Sequence, residues 1–258
     1  MNIRKIDLLW KKQDLDIDEC NYISSLISLL NKGIIKVVNK VGNTWISNSF
    51  IKKAIVLYIR NSKRKLLINN TSASYDIFTN KLLSINPDNN IRFTHLSYAR
   101  YGSYISGNSI LMPCFINIGA YISSNCMIDT WATIGSCAYI GRNVHISGGA
   151  GIGGVIEPIC NNPVIIEDNC FIGARSELVE GVVLKSGCVI SMGVFIGRST
   201  KVYSRLEDKF YYSYVPKNSV VVPGSINYGK YSLNCPIIVK NRDKSTDTKV
   251  CINNSIRK

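Results

Sequence analysis

Large aliphatic residues recur every six positions along the middle of the chain. Isoleucine stands at Ile110, Ile116, Ile122, Ile128, Ile134, Ile140, Ile146 and Ile152, and the beat resumes at Ile166, Ile172, Leu178, Leu184, Ile190, Ile196 and Val202. Four residues after each comes a small or slim side chain, as at Cys114, Ala120, Cys126, Ala132, Ala138, Cys170, Ser176 and Cys188. A helix would space its apolar residues three and four apart, and a lone strand two apart. Six fits a short strand plus a turn, repeated, with Gly, Asn, Ser and Asp in the turns.

Three such units close one triangular coil of eighteen residues. Coils stacked about 4.8 Å apart, the ordinary strand spacing, satisfy each other's backbone. Each coil buries its apolar column only against its neighbours, so several are needed, and the fifteen beats make about five. The pattern predicts a mainly β fold, a parallel β-helix. Hexapeptide repeats are known for the left-handed form, an exception to the usual right-handed crossover.

The flanks read differently. Asp16 and Asp18 offer helix caps, Cys20, Ile23, Ile27 and Leu30 then share one face, and Gly33 closes the helix. Residues 34–47 alternate around Gly42-Asn43 as a hairpin, and residues 50–60 return to a helical pattern. Residues 61–90 are polar and Asn-rich, with a short helix at most. The expected division is an α-rich N-terminal domain over residues 1–91, the coil over 92–225, and a small β cap with a frayed tail over 226–258. Between Ile152 and Ile166 the spacing is fourteen rather than twelve, so two extra residues bulge out around residues 157–163, which include Cys160. A loop ejected from a regular scaffold is where function tends to sit.

Composition changes this picture little. A net charge of +14 favours an anionic partner, although Ile, Lys and Asn crowd the whole sequence. Four of nine cysteines fall on the small inward position, where Cys acts as a small hydrophobe; reduced thiols in a cytoplasmic protein account for them. Arg4, Lys5, Lys11 and Lys12 interrupt any signal-peptide pattern, and Ser, Asn and Gly punctuate the uncharged residues 101–128 too regularly for a membrane span. No nucleic-acid recognition motif accompanies the charge.

Residues 149–154 satisfy G-x-G-x-x-G, yet no helix can follow through Pro158 and Pro163, so close backbone approach is the better reading of these glycines. Two histidines, His95 and His145, are too few for a three-His zinc site, and no metal is expected. His145 precedes an inward Ile146 and points outward, where it could serve as a base. Asp129 is the only acid in residues 101–154 and stands beside Trp131, a candidate to bind an amine or take its proton. Glu177 is the second candidate, with a surface ion pair to Arg175 as the alternative.

Residues 116–120, 127–138, 143–149 and 165–177 resemble, nearly word for word, the tetrahydrodipicolinate N-succinyltransferases. The resemblance implies a cytoplasmic homotrimer with intersubunit sites that moves a succinyl group from succinyl-CoA to an amine on the route to diaminopimelate and lysine. It puts the substrate-binding Arg and Asp on Arg92 and Asp129, and a second acid at the amine on Glu177. Arg198, Lys201 and Lys217 are expected to contact the phosphates of CoA. Another CoA-dependent acyltransferase on the same coil, or a non-catalytic β-helix binding protein, are the rival readings.

Overall fold

The computed structural model describes residues 3–69, 72–159 and 161–250. From Ile91 onward the chain winds through three parallel sheets in turn, so each strand pairs with the strand one coil before and one coil after. The inner columns, Ile116-Ile134-Ile152-Leu178-Ile196 among them, form one continuous core. Neighbouring residues in a strand point to opposite faces, so each sheet also has an outer column. One reads Tyr104, Tyr121, Tyr139, Ile165, Val183, Tyr214 and is called here the tyrosine face. A second reads Arg92, Ile110, Met127, His145, Phe171, Val189, Val220, the histidine face. The third reads Tyr98, Phe115, Thr133, Gly151, Glu177, Phe195, the glycine face.

The six-beat holds with three corrections. Ile110 pairs with Met127 and takes the outer position, while Leu111 continues the inner column with Ile128. The chain leaves the glycine face at Ile152 and enters the tyrosine face at Ile166, a step of six elsewhere (Ile134 to Ile140), so eight residues are extra rather than two. Cys160, placed in this loop by the sequence, lies outside the described residues. Val202 is buried in the core, but on a strand, Val202–Ser204, that leaves the coil to pair with Lys209–Tyr211 and Ile237–Asn241; the coil resumes at Tyr214–Val215.

At many corners the backbone turns through a left-handed residue. Asn108, Asn125, Asn143, Asn169 and Asn218 all carry φ between +56° and +62° before strands of the histidine face. Asn reaches this region because its short polar side chain bonds locally, and here Asn143 Nδ2 donates to Asn169 Oδ1 of the next coil at 3.0 Å. The cysteines on the coil are packing residues. Burial pushes the Cys114 thiol up to about 12, which keeps it protonated and inert.

The N-terminal unit covers part of the tyrosine face. Helices α1 (Ile3–Trp10), α2 (Ile17–Asn31) and α3 (Ser49–Asn61) pack together through Ile6, Leu9, Ile23, Leu26, Ala54 and Leu57. Asp16 starts α2 through a capping box with Glu19, a motif that satisfies two orphan N–H groups at once. The hairpin of β1 (Val38–Val41) and β2 (Thr44–Ser47) lays Trp45 on Tyr139, ring centroids 4.7 Å apart, at the end of a Tyr104-Tyr121-Tyr139 stack. Beside it, the buried carboxylate of Glu167 accepts from Lys40 Nζ (2.8 Å), Trp45 Nε1 (2.9 Å) and the Ser186 N–H and hydroxyl (3.0 Å each). Burial alone would raise the Glu167 carboxyl, but these donors outweigh it and hold it down at about 2.

Residues 61–90, expected to hold a short helix at most, also form an antiparallel hairpin of β3 (Lys65–Asn69) and β4 (Ser72–Asp76). Asp76 Oδ2 accepts from Arg100 at 2.9 Å and so pins β4 to the coil. At the other end residues 237–239, read from the sequence as a strand of the cap, lie in strand Ile237–Asn241, while the tail expected to fray from Arg242 instead forms α4 (Lys244–Val250), which Asp243 caps by accepting from the Thr246 N–H and hydroxyl at 2.7 Å each. Residues 251–258 lie outside the described residues.

Candidate active site

The glycine face carries aromatic residues at Tyr98, Phe115 and Phe195, and between them Thr133, Gly151 and Glu177, with Gly151 alone lacking a side chain. Thr133, Gly135, Gly149, Gly151, Gly153, Gly154 and Glu177 line a hollow of about 310 Å³. Gly135 and Gly154 run so close that a β-carbon on either would strike the other's backbone or that of Ser136. The glycines read from the sequence as sites of close approach therefore make the floor of a cavity.

Glu177 forms the C-terminal wall of this hollow. Its strand pairs with Gly151-Ile152, and its carboxylate folds back across Gly151, lying where a β-carbon there would be. Desolvation raises the Glu177 pKa. The alternative of an ion pair with Arg175 is not what forms: Arg175 turns the corner with φ +55° and its aliphatic stem lies over Gly149. No Glu177 ion pair occurs among the described residues.

Asp129 stands at the corner before the glycine face, two coils from Glu177 and outside the residues that line the hollow. It ends the strand Met127–Ile128, and its Oδ1 accepts from the Thr130 N–H at 2.6 Å and the Thr130 hydroxyl at 3.2 Å. The carbonyl of Thr130 in turn accepts from the N–H of Gly149, a residue of the hollow, at 2.8 Å. The stacking also brings Asp129 Oδ2 to 4.0 Å from His145 Nε2. His145 lies edge-on to Phe171, centroids 4.9 Å apart. This neighbourhood went unremarked in the sequence, although Met127 and His145 differ by one full coil of eighteen. Trp131, with φ +61° and 67% exposed, follows at the corner.

The remaining expected site residues are spread along the molecule. Arg92 is exposed on the first histidine-face strand, two coils before Asp129. Arg198 lines a cleft of about 930 Å³ with Trp45, Lys185, Asn162 and Tyr214. Lys217 lines a different one of about 940 Å³ with His145, Asn169 and Arg242. Lys201 donates to the Tyr228 hydroxyl at 3.0 Å. One chain thus places Asp129 and Glu177 two coils apart, with only Glu177 of the two lining the hollow, and does not gather the three cations in one place. Among the described residues no cluster of three or more His, Cys, Asp or Glu could hold a metal ion, and no helix is long and apolar enough to cross a membrane.

Three family models match this architecture in order. Residues 3–60 match the N-terminal part of tetrahydrodipicolinate N-succinyltransferase, residues 119–154 a bacterial transferase hexapeptide of six repeats, and residues 163–198 the hexapeptide repeat of succinyl-transferase. The last two flank the ejected loop. A 2,3,4,5-tetrahydropyridine-2,6-dicarboxylate N-succinyltransferase of Acinetobacter baylyi is 46% identical over 250 residues, covering 95% of this chain and 92% of its own. Its counterparts from Buchnera aphidicola and a Wolbachia species are 47% and 49% identical, over 95% and 91% of this chain and 92% and 88% of their own. Among solved structures, a Campylobacter jejuni protein described as a 2,3,4,5-tetrahydropyridine-2-carboxylate N-succinyltransferase shares the fold at a TM-score of 0.57 and 19% identity, over 87% of this chain and 64% of that one. With 46–49% identity over more than nine-tenths of its length, the chain belongs to the tetrahydrodipicolinate N-succinyltransferase family.

Proposed function

We propose that the protein transfers the succinyl group of succinyl-CoA to the amine of ring-opened tetrahydrodipicolinate, releasing CoA, in the synthesis of diaminopimelate and lysine. The observation that carries this reading is the glycine-floored hollow walled by the Glu177 carboxylate, with Asp129, the one acid of residues 101–154, at the corner that leads into the same face. The acceptor amine arrives as an ammonium. Asp129 holds it, and Glu177, its proton affinity raised by desolvation, takes the proton. The free amine nitrogen attacks the thioester carbonyl carbon, the carbon–sulfur bond breaks, and CoA leaves as a thiolate that regains a proton. A rigid coil aligns the partners at no further entropic cost.

Arg92 grips a substrate carboxylate through two parallel hydrogen bonds, which Lys does less well. Within one chain, Arg92 and Glu177 stand four coils apart on opposite sides of Asp129, about 15–20 Å at strand spacing. A small substrate cannot touch both unless a second copy supplies one of them. We therefore read the enzyme as a homotrimer with shared sites; the exposed Trp131, Met192 and Phe195 supply apolar surface for such a contact. CoA runs toward the C-terminal end of the coil, where Arg198, Lys201 and Lys217 attract its phosphates. A cytoplasmic location fits the free thiols of the seven described cysteines.

Thiol release from succinyl-CoA in the presence of L-2-aminopimelate, a stable stand-in for the acceptor, tests the reading. Release should need both compounds and an intact trimer. Release with other amines but not this one, or full activity from a monomer at high dilution, would overturn it.

A further inference from the structure

Six of the outer positions on the glycine face lie in one register, and only one of them lacks a side chain. A glycine inside a strand weakens it and marks a place where something else approaches the backbone. Here that something is internal to the protein. A β-carbon on Gly151 would collide with Glu177 Oε2 and stand 2.5 Å from both Cδ and Oε1, so the whole carboxylate occupies the space the side chain would fill. The glycine is not there for its backbone, because Gly151 is not among the residues with positive φ. Thr133, one coil further back, leaves the other end of the same notch low enough for the hollow to open beside the carboxylate.

We propose that Gly151 is the positioning residue for the Glu177 carboxylate: its missing side chain lets that group lie flat on the coil, partly shielded from water and facing the hollow. The inference rests on Glu177 taking the proton from the acceptor amine, and adds to it the residue that sets where that carboxylate lies and how wet it is. Any side chain at Gly151 lifts the carboxylate off the coil. The distance to the amine then changes, and the carboxylate regains the water whose loss raises its pKa.

Gly151→Ala suits the test because alanine accepts this backbone conformation and favours order over glycine, so the variant should fold and melt no lower than the parent. Three enzymes are compared with the parent: Gly151→Ala, Glu177→Gln and the double variant. Gly151→Ala should lower kcat about 10- to 100-fold, the cost of displacing a reacting group by roughly 1 Å, with KM for succinyl-CoA little changed. Because the base must be ionised to act, activity falls as pH drops through its pKa; rehydration lowers that pKa, so the acid limb of kcat/KM should move to lower pH. In the Glu177→Gln background the alanine should cost nothing more, as for two residues acting as one unit. A cost of equal size in both backgrounds, or an unchanged acid limb, would overturn the role of Gly151 and leave Glu177 as the base. Full turnover by Glu177→Gln would remove the base assignment and this inference together.

Discussion

The tyrosine face and the glycine face are built on the same coils with the same inner isoleucines, yet they do opposite things. On the first, Tyr104, Tyr121 and Tyr139 stack at 4.8 Å and 5.6 Å between ring centroids and are sealed by Trp45 and Lys36 of the N-terminal unit. On the second, the corresponding levels hold Phe115, Thr133 and Gly151, and the only charged group folds down onto the bare backbone. The inner columns do not distinguish the two. A parallel β-helix separates its tasks by direction: residues facing in hold the coils together, and residues facing out decide whether a sheet becomes an interface or a site.

That contrast can be broken at several points. The largest effect should come from Glu177→Gln, which keeps shape but removes the base; kcat should fall about 10²- to 10⁴-fold with the melting temperature unchanged. Steady-state kinetics beside a thermal melt checks this, and a melt lowered by several degrees would place Glu177 among the stabilising residues instead. Ile140→Ala, on the inner side between the two faces, should cost about 2–5 kcal/mol by opening a cavity in a column where every neighbour is fixed by the coil repeat. Denaturant unfolding measures it. Trp45→Ala should cost about 1–3 kcal/mol, less than the core residue because the ring is not fully enclosed, and should loosen the N-terminal hairpin while the coil stays protected from hydrogen exchange.

The smallest effect depends on pH. Glu167 is held at about 2 when folded against an ordinary 4.5, so the folded state binds fewer protons than the unfolded chain between these values. Its contribution is complete above pH 4.5 and is lost as pH falls toward 2. Glu167→Gln should therefore cost about 1–2 kcal/mol at pH 7 and visibly less at pH 3. Unfolding midpoints of both proteins across this range give the comparison, and a cost that does not shrink in acid would mean Glu167 contributes through shape.

The inner architecture was legible in the sequence because one large aliphatic per six residues has no other economical explanation. The slip at Ile110-Leu111 was not, since two adjacent aliphatics satisfy the same pattern and only pairing decides which faces in. The hairpin within residues 61–90 was hidden because Leu66, Leu67 and Ile68 run together without alternation and stay exposed, inside a stretch that is otherwise polar. Asp129 stood out as the one acid in residues 101–154, whereas the place of Glu177 on the wall of the hollow did not. Thr133 and Gly151 are eighteen apart, as stacking demands, but Gly151 and Glu177 are twenty-six apart because eight inserted residues intervene. Knowing the size of that insertion depends on knowing that no strand was lost in it. The same arithmetic, free of insertion, would have set His145 above Met127 and beside Asp129.

The most direct measurement is a crystal structure with L-2-aminopimelate and CoA bound. The amine nitrogen should lie in the glycine-floored hollow within about 2.6–3.2 Å of an Asp129 or Glu177 oxygen, the reach a proton transfer needs. An amine held in the cleft beside Trp45, Arg198 and Tyr214, away from both carboxylates, would contradict the account.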